Sequence, residues 1–147
     1  MATAAALPVL LAELIEALDD SASWTRFHYL DRNTGEIATG LTEEVDKSGH
    51  FADVRDNPQR YVRIEVLPAW LRMQVRAQFV EQRVDDAALR LDLNDSLAGP
   101  HGIAGFERLL RNHAAVSETF FSFRTAALSD AARAWLLAHK LTKVDLK

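Results

Sequence analysis

The sequence predicts an α+β fold, in which a small antiparallel sheet (a hairpin plus one further strand) packs against four to six helices. Strand-like alternation of apolar and polar residues is confined to residues 24–66, where turn-forming residues separate the first two alternating stretches. Apolar residues at helical spacing cover the N-terminal stretch and most of the chain beyond residue 67. Helices therefore outnumber strands, and the strands are close together in the sequence.

We expect one domain over residues 1–147, because the chain has the length and composition of a single globular core. Of its residues 48% are hydrophobic and 26% charged, as in ordinary soluble domains. The expected parts are an N-terminal amphipathic helix (1–20), a hairpin, loop and third strand (24–66), and a helical part (67–141).

Charge and cysteine content narrow the classes of function. With 17 Lys+Arg against 21 Asp+Glu and a pI of about 5.7, the chain lacks the positive charge typical of a non-specific nucleic-acid binder. There is no cysteine, so disulfides, thiolate metal sites and a cysteine nucleophile are excluded. The sequence has no nucleotide-binding or metal-binding motif, and we expect no cofactor. The N-terminal stretch has no basic region before its apolar residues, which predicts a cytoplasmic protein without a signal peptide or membrane span.

The first predicted element is the amphipathic helix of residues 1–20. Pro8 has the position of a first-turn proline, and Asp19 and Asp20 end the apolar periodicity. The apolar residues recur at the spacing of one helix face: Leu7, Leu10, Leu11, Leu14, Ile15 and Leu18.

A β-hairpin is predicted next. Alternation over residues 24–31 in an aromatic context favours a strand, and residues 36–39 would form the returning strand. Between them, Asp31 can accept backbone hydrogen bonds and Gly35 can adopt a positive φ, as a four- or five-residue hairpin loop requires.

The polar, aperiodic residues 40–57 are predicted to form a long connection, the kind of segment in which binding residues are common. Within it, the spacing of His50, Asp53 and Asp56 would let three metal ligands converge if they formed one helical turn. This spacing is the basis for a metal-assisted hydrolase as an alternative function. The competing interpretation is a solvated loop.

Residues 60–66 alternate again and predict the third strand, after which Pro68 opens a helix. The predicted apolar stripe of that helix consists of Trp70, Leu71, Val75, Phe79 and Val80.

Arginines form the strongest basic patch in the sequence. Arg72 and Arg76, with Arg83 further along, are placed opposite the apolar stripe, close in sequence to Arg60 and Arg63 of the third strand. Guanidinium groups hold phosphates and carboxylates with paired hydrogen bonds, so the patch predicts binding of an anionic ligand or partner. A solvated helix face is the alternative.

Two shorter helices are predicted to follow. Asp85 is the expected N-cap of the first, over residues 86–97, and Gly99 ends it. The second covers residues 103–113.

In the second of these helices, Glu107 and Arg111 have the spacing of an i,i+4 ion pair. A metal site formed by His101, Glu107 and His113 is the alternative.

The C-terminal part predicts two further helices, with Ser117 capping the first and Ser129 and Asp130 starting the second. Arg124 lies among phenylalanines expected to be buried. Because an isolated buried charge is costly, Arg124 must pair with a carboxylate, stack on an aromatic ring or hold an anionic ligand.

Several of these segments resemble, in their order, a bacterial UPF-series family of small, uncharacterised cytosolic proteins. The resemblance covers residues 24–141 and includes the YLD-x-x-TGE hairpin beginning at Tyr29, an Arg-Tyr-x-x-Ile strand at Arg60, and a Phe-Arg and Trp-Leu pair of helices at Phe123 and Trp135. Residues 103–105 stand where the family tends to have an aromatic and basic residues, which argues against a nucleic-acid-binding helix there. The resemblance implies a fold but no activity.

The sequence therefore favours a binding or regulatory module over an enzyme, acting through a protein partner, self-association or an anionic ligand. The candidate binding residues are Arg60, Arg63, Arg72, Arg76 and Arg124. The alternatives are the metal-assisted hydrolase using His50, Asp53 and Asp56, and nucleic-acid binding through the arginines, which the acidic pI disfavours.

Overall fold

The computed structural model describes residues 6–20, 26–41, 54 and 56–147. Its strands are β1 Leu7–Val9, β2 Arg26–Asp31, β3 Ile37–Leu41, β4 Tyr61–Arg63 and β5 Val144–Leu146. Its helices are α1 Leu11–Leu18, α2 Ala69–Arg83, α3 Ala87–Ala98, α4 Gly102–Leu110 and α5 Ala114–Ala138. A three-stranded antiparallel sheet and a separate parallel pair accompany these helices, so the predicted α+β class is confirmed.

The chain forms two compact units. Unit 1 consists of Met1–Val66 together with Ser129–Lys147, and unit 2 consists of Leu67–Leu128. Unit 1 contains both sheets, and unit 2 contains α2, α3 and α4. That the units make up a single domain stays a prediction.

The hairpin of unit 1 is confirmed, and its turn uses the residues that the sequence indicated. The carboxylate of Asp31 accepts a hydrogen bond from the Asn33 amide at 2.8 Å, and the Asp31 carbonyl accepts from the Gly35 amide at 2.8 Å. Gly35 has a φ of 78°, a conformation that residues with a Cβ adopt only with strain. The turn chemistry is local, which is why the sequence predicts it well.

The third predicted strand is also present, but it is short. β4 pairs with β2 on the side opposite β3, giving the strand order β3-β2-β4. Val62 is buried with Leu30, its cross-strand neighbour, which decides the register left open by the sequence.

The prediction of one helix over residues 1–20 is wrong at residues 7–9, which form β1. The Leu7 amide donates to the Lys143 carbonyl at 2.8 Å, and the Lys147 amide donates to the Val9 carbonyl at 2.8 Å. In a parallel pair, the backbone N–H and C=O groups of every second residue point toward the partner strand. Leu7 and Val9 are the residues bonded to β5, so Pro8, which lacks an amide hydrogen, lies at a position where no hydrogen bond between the strands is lost. The helix begins at Leu11 and buries the residues expected of its apolar face beyond that point: Leu14, Ile15 and Leu18.

Unit 2 has an aromatic and aliphatic core. The Phe79 and Phe120 rings meet at a centroid distance of 5.2 Å, and Phe106 meets Phe120 at 5.5 Å, both edge to face. The leucines repeated every four residues in α3 complete it: Leu89, Leu93 and Leu97. Trp70 does not join the apolar stripe predicted for α2, since 68% of it is exposed.

The ends of α3 lie close to their predicted positions. The N-cap is Asp86, whose carboxylate accepts from the Leu89 amide at 3.0 Å, so the prediction of Asp85 is wrong by one residue. Gly99 follows the last helical residue, as expected.

The two helices predicted after residue 117 are a single helix, α5, which runs through both Ser117 and Ser129. No glycine or proline interrupts it. Serine and aspartate cap a helix only where the backbone at the capping position is not helical. Nothing in this stretch forces the backbone out of the helical conformation.

Candidate functional site

The antiparallel sheet of unit 1 has two chemically different faces. Successive side chains of a strand point to opposite faces. Buried Leu30 and Val62 therefore share one face, while Tyr29, Tyr61 and Arg63 share the other. Because Tyr29 is the cross-strand neighbour of Arg63, the second face combines aromatic rings with a guanidinium group.

A cleft of about 500 Å³ lies at this second face. The hairpin turn supplies Arg32, the third strand and the segment after it supply Tyr61, Arg63 and Glu65, and α5 and the residue following it supply Trp135 and His139. We call this space the arginine–aromatic cleft; all of its lining residues belong to unit 1.

The wall formed by the end of α5 is held in place by two contacts. The Arg32 guanidinium donates through Nη1 to the His139 carbonyl at 3.0 Å. The Trp135 and His139 rings are 4.5 Å apart. The first contact joins the hairpin turn to the residue after α5, and the second places the Trp135 ring against the ring of that residue.

Arg63 is the exposed cation of the cleft. Its guanidinium lies 4.7 Å from the centre of the Phe27 ring, an arrangement that orients the side chain without neutralising its charge. Within the part of the chain that the structure describes, no carboxylate forms an ion pair with Arg63. Its hydrogen-bond donors are therefore available to a bound anion.

Arg60, by contrast, is engaged by Asp31. Its Nε and Nη2 atoms donate to the two oxygens of Asp31 at 3.1 and 2.9 Å, and its guanidinium lies 5.2 Å from the centre of the Tyr61 ring. The hydrogen bond from Arg60 is the main reason why the pKa of Asp31 is lowered, against the opposing effect of its burial. Arg60 thus packs on the Tyr61 ring, which lines the cleft, and helps to position it.

On the other face of the sheet, a chain of hydrogen bonds satisfies the buried carboxylate of Asp20. Arg26 donates to both carboxylate oxygens, and Nε2 of His28 lies 2.6 Å from Oδ2. The other ring nitrogen of His28 lies 2.7 Å from the Thr39 hydroxyl. Both nitrogens of His28 are therefore engaged, which fixes the ring between β2 and β3.

The candidate arginines of unit 2 lie in its interior. Arg72 is 7% exposed, Arg76 0% and Arg124 5%, so the expectation that Arg72 and Arg76 lie on a solvated helix face is wrong. That these three residues bind a ligand stays a prediction.

The surroundings of Arg76 account for its burial. Its guanidinium donates to the Glu107 carboxylate at 2.9 Å and to the Arg72 carbonyl at 3.0 Å, and it lies 5.3 Å from the centre of the Phe120 ring. Glu107 was predicted to pair with Arg111; the structure gives it Arg76 as a partner on another helix.

Arg124 stacks on aromatic rings, one of the arrangements that its sequence position allowed. Its guanidinium lies 5.1 Å from the centre of the Phe121 ring and 5.8 Å from that of Phe120. Phe120 thus has guanidinium groups of both Arg76 and Arg124 next to it.

Of the predicted metal ligands, His50 and Asp53 lie outside the described residues, while Asp56 is described and exposed. Among the described residues, no group of three His, Asp or Glu side chains could hold a metal ion. The alternative trio of His101, Glu107 and His113 is therefore not brought together.

The sequence indicated Arg63 and Arg60 but missed Arg32, Trp135 and His139. Arg32 belongs to a turn, and its bond to His139 joins residues 107 positions apart. No local pattern signals such a contact. The one feature of the sequence that links the two segments is the family resemblance, which includes both the hairpin and the Trp-Leu helix.

Of three comparisons with known proteins, one finds a match, which is to a family model. A search of curated proteins and a search of solved structures find no match for the chain. In the described part of the chain, no helix has the length and apolar character that crossing a membrane requires. The model of the uncharacterised protein family UPF0158 matches residues 6–145, and the chain therefore belongs to that family.

Proposed function

We propose that the protein is a binding module that holds an anionic ligand, or the anionic group of a partner protein, in the arginine–aromatic cleft. The observation that supports this most strongly is Arg63, an exposed cation oriented by Phe27 and without an ion pair among the described residues. A cation held in this way binds an anion with little loss of side-chain freedom.

Arg32 adds a second guanidinium to the lining of the cleft. One of its nitrogens is bonded to the His139 carbonyl, which positions the group and leaves its other donors for a ligand. Glu65 contributes a negative charge to the lining, so the cleft has a modest positive balance rather than a strong one. This favours a small anion over an extended polyanion.

The first test is a titration of the ¹⁵N-labelled protein with inorganic pyrophosphate, followed by NMR. We expect the amide signals of residues 32, 61–65 and 135–139 to shift. Arg63→Ala should weaken binding about tenfold, because it removes a charge-assisted contact.

Arg83→Ala is the matched control. Arg83 is also an exposed arginine beside a phenylalanine, with its guanidinium 5.9 Å from the centre of the Phe123 ring, but it belongs to unit 2. Equal weakening by both substitutions would show non-specific attraction and contradict the proposal, as would the absence of any shift in the cleft.

A further inference from the structure

We infer that the ligand of the arginine–aromatic cleft is a nucleoside phosphate, with its phosphate on Arg63 and Arg32 and its base against Trp135. This inference rests on the proposed function, since it specifies the anion that the cleft holds. It adds a requirement for a flat aromatic group, which a simple anion does not have.

The aromatic lining supports this requirement. Trp135 and Tyr61 both line the cleft, in the same space as Arg32 and Arg63. Aromatic side chains beside guanidinium groups are the combination by which proteins hold single nucleotides and single-stranded nucleic acids, because bases stack on rings while phosphates bind cations. Inorganic phosphate or a carboxylate would use only half of these contacts.

Both rings are held before any ligand arrives. Trp135 is in contact with the His139 ring at 4.5 Å, and Tyr61 is braced by Arg60, which is itself fixed by Asp31. A ring that is already immobilised loses little conformational entropy when a base stacks on it. The rings are therefore suited to binding and are not merely exposed apolar surface.

The volume and charge of the cleft limit the size of the ligand. A volume of about 500 Å³ lies in the range of small-molecule sites. The net charge of the whole chain is −4, so there is no general positive field to attract a long polynucleotide. One nucleotide unit, either free or within a single strand, fits both limits.

The decisive experiment compares three ligands by isothermal titration calorimetry: ADP, pyrophosphate, which has no base, and adenosine, which has no phosphate. We expect ADP to bind at least about tenfold more tightly than either of the others, since only ADP makes both kinds of contact. Equal affinities for ADP and pyrophosphate would overturn the inference while leaving the proposed function intact. If ADP, pyrophosphate and a phosphotyrosine peptide all failed to bind, both would be overturned.

Substitutions separate the two contacts. Trp135→Ala should weaken ADP binding about tenfold and leave pyrophosphate binding unchanged, whereas Arg63→Ala should weaken the binding of both. Trp135→Phe keeps a ring and should restore most of the ADP affinity, which also guards against a loss caused by unfolding. Trp70→Ala removes an exposed tryptophan of unit 2 and should change neither. Equal weakening of ADP and pyrophosphate by Trp135→Ala in a folded protein would contradict a stacked base.

A short single-stranded oligoadenylate distinguishes the two sources of nucleotide. Tighter binding than ADP, with an affinity that falls as salt rises, would assign the cleft to a nucleotide within a strand. Affinity equal to or below that of ADP would assign it to a free nucleotide. If a phosphotyrosine peptide bound in a Trp135-dependent manner and ADP did not, the inference would be wrong and the ligand would be a phosphorylated protein.

Discussion

Asp31 connects the hairpin turn with the third strand. Its side chain accepts hydrogen bonds from Arg60 and from the Asn33 amide, and its main chain is bonded to Gly35 and Glu36. The hydrogen bond from Arg60 is the leading cause of its lowered pKa. Since the folded-state pKa lies below the unfolded value of about 3.8, the carboxylate stabilises the fold at neutral pH. That stability is lost as the pH falls from about 3.8 through the folded-state pKa.

We therefore predict that Asp31→Asn lowers the free energy of unfolding at pH 7 by about 1–2 kcal/mol. This value lies around the lower limit for hydrogen bonds to charged groups, because Arg60 is partly exposed and water weakens the ion pair. The difference from the wild-type protein should shrink as the pH falls below about 4 and the carboxylate becomes protonated. Urea denaturation at a series of pH values measures both effects. Arg60→Ala should remove most of the same pH-dependent stability, and a difference that stayed constant down to pH 2.5 would refute the assignment.

Arg76 is a fully buried cation, and Glu107 lies 2.9 Å from its guanidinium. Removing one member of a fully buried ion pair costs about 3–5 kcal/mol, but the Glu107 side chain is 24% exposed, which lets water screen the charge. We predict that Glu107→Gln destabilises the protein by about 2 kcal/mol, measured by chemical denaturation. Glu118→Gln, an exposed change on α5, should stay within about 0.5 kcal/mol of the wild type. An equal effect of both substitutions would mean that the ion pair contributes nothing beyond surface charge.

At the scale of elements, the contrast between α3 and α5 shows when a capping residue can be identified from the sequence. Asp86 caps α3 because its own backbone is extended, with a φ of −69° and a ψ of 116°. Asp130 has the same side chain, yet it lies inside α5 and is fully exposed. The side chain alone does not decide where a helix starts. The backbone conformation at the capping residue decides it, and that conformation depends on packing.

These two aspartates give opposite predictions. Asp86→Ala should destabilise the protein by about 1 kcal/mol, because it removes the acceptor for the Leu89 amide. Asp130→Ala should stabilise it by about 0.5 kcal/mol, since alanine is the better helix former and the Asp130–Arg133 pair is exposed and 3.8 Å long. Thermal and urea unfolding measure both changes, with Asp85→Ala as a control expected to have little effect. Destabilisation by Asp130→Ala would instead support two separate helices.

For the strands, the sequence predicts contacts between neighbouring residues well and contacts between distant segments poorly. The hairpin was predictable because Asp31 and Gly35 determine its turn locally. β1 was missed because its partner is β5, at the other end of the sequence, and a short segment with leucines has no pattern that separates a strand from a helix turn. Pro8 suits both interpretations.

At the scale of the whole molecule, the candidate site was predicted only in part. Arg63 was identified because it lies on an alternating strand with other arginines nearby in sequence. Arg32, Trp135 and His139 come from distant segments of unit 1, and only the fold brings them to the same cleft. Arg72 and Arg76 were misplaced because charge is a poor guide to exposure when a long side chain can stack on rings such as Phe120.

The pairing of β1 with β5 also imposes an order on how the chain can fold during synthesis. Unit 1 is built from two segments, and the whole of unit 2 lies between them in the sequence. A ribosome therefore completes unit 2, with its phenylalanine core, before the segment containing Trp135 and β5 has been made. β1 must remain without its neighbouring strand until then. The arginine–aromatic cleft can therefore form only after His139 has been made, which is later than the synthesis of unit 2.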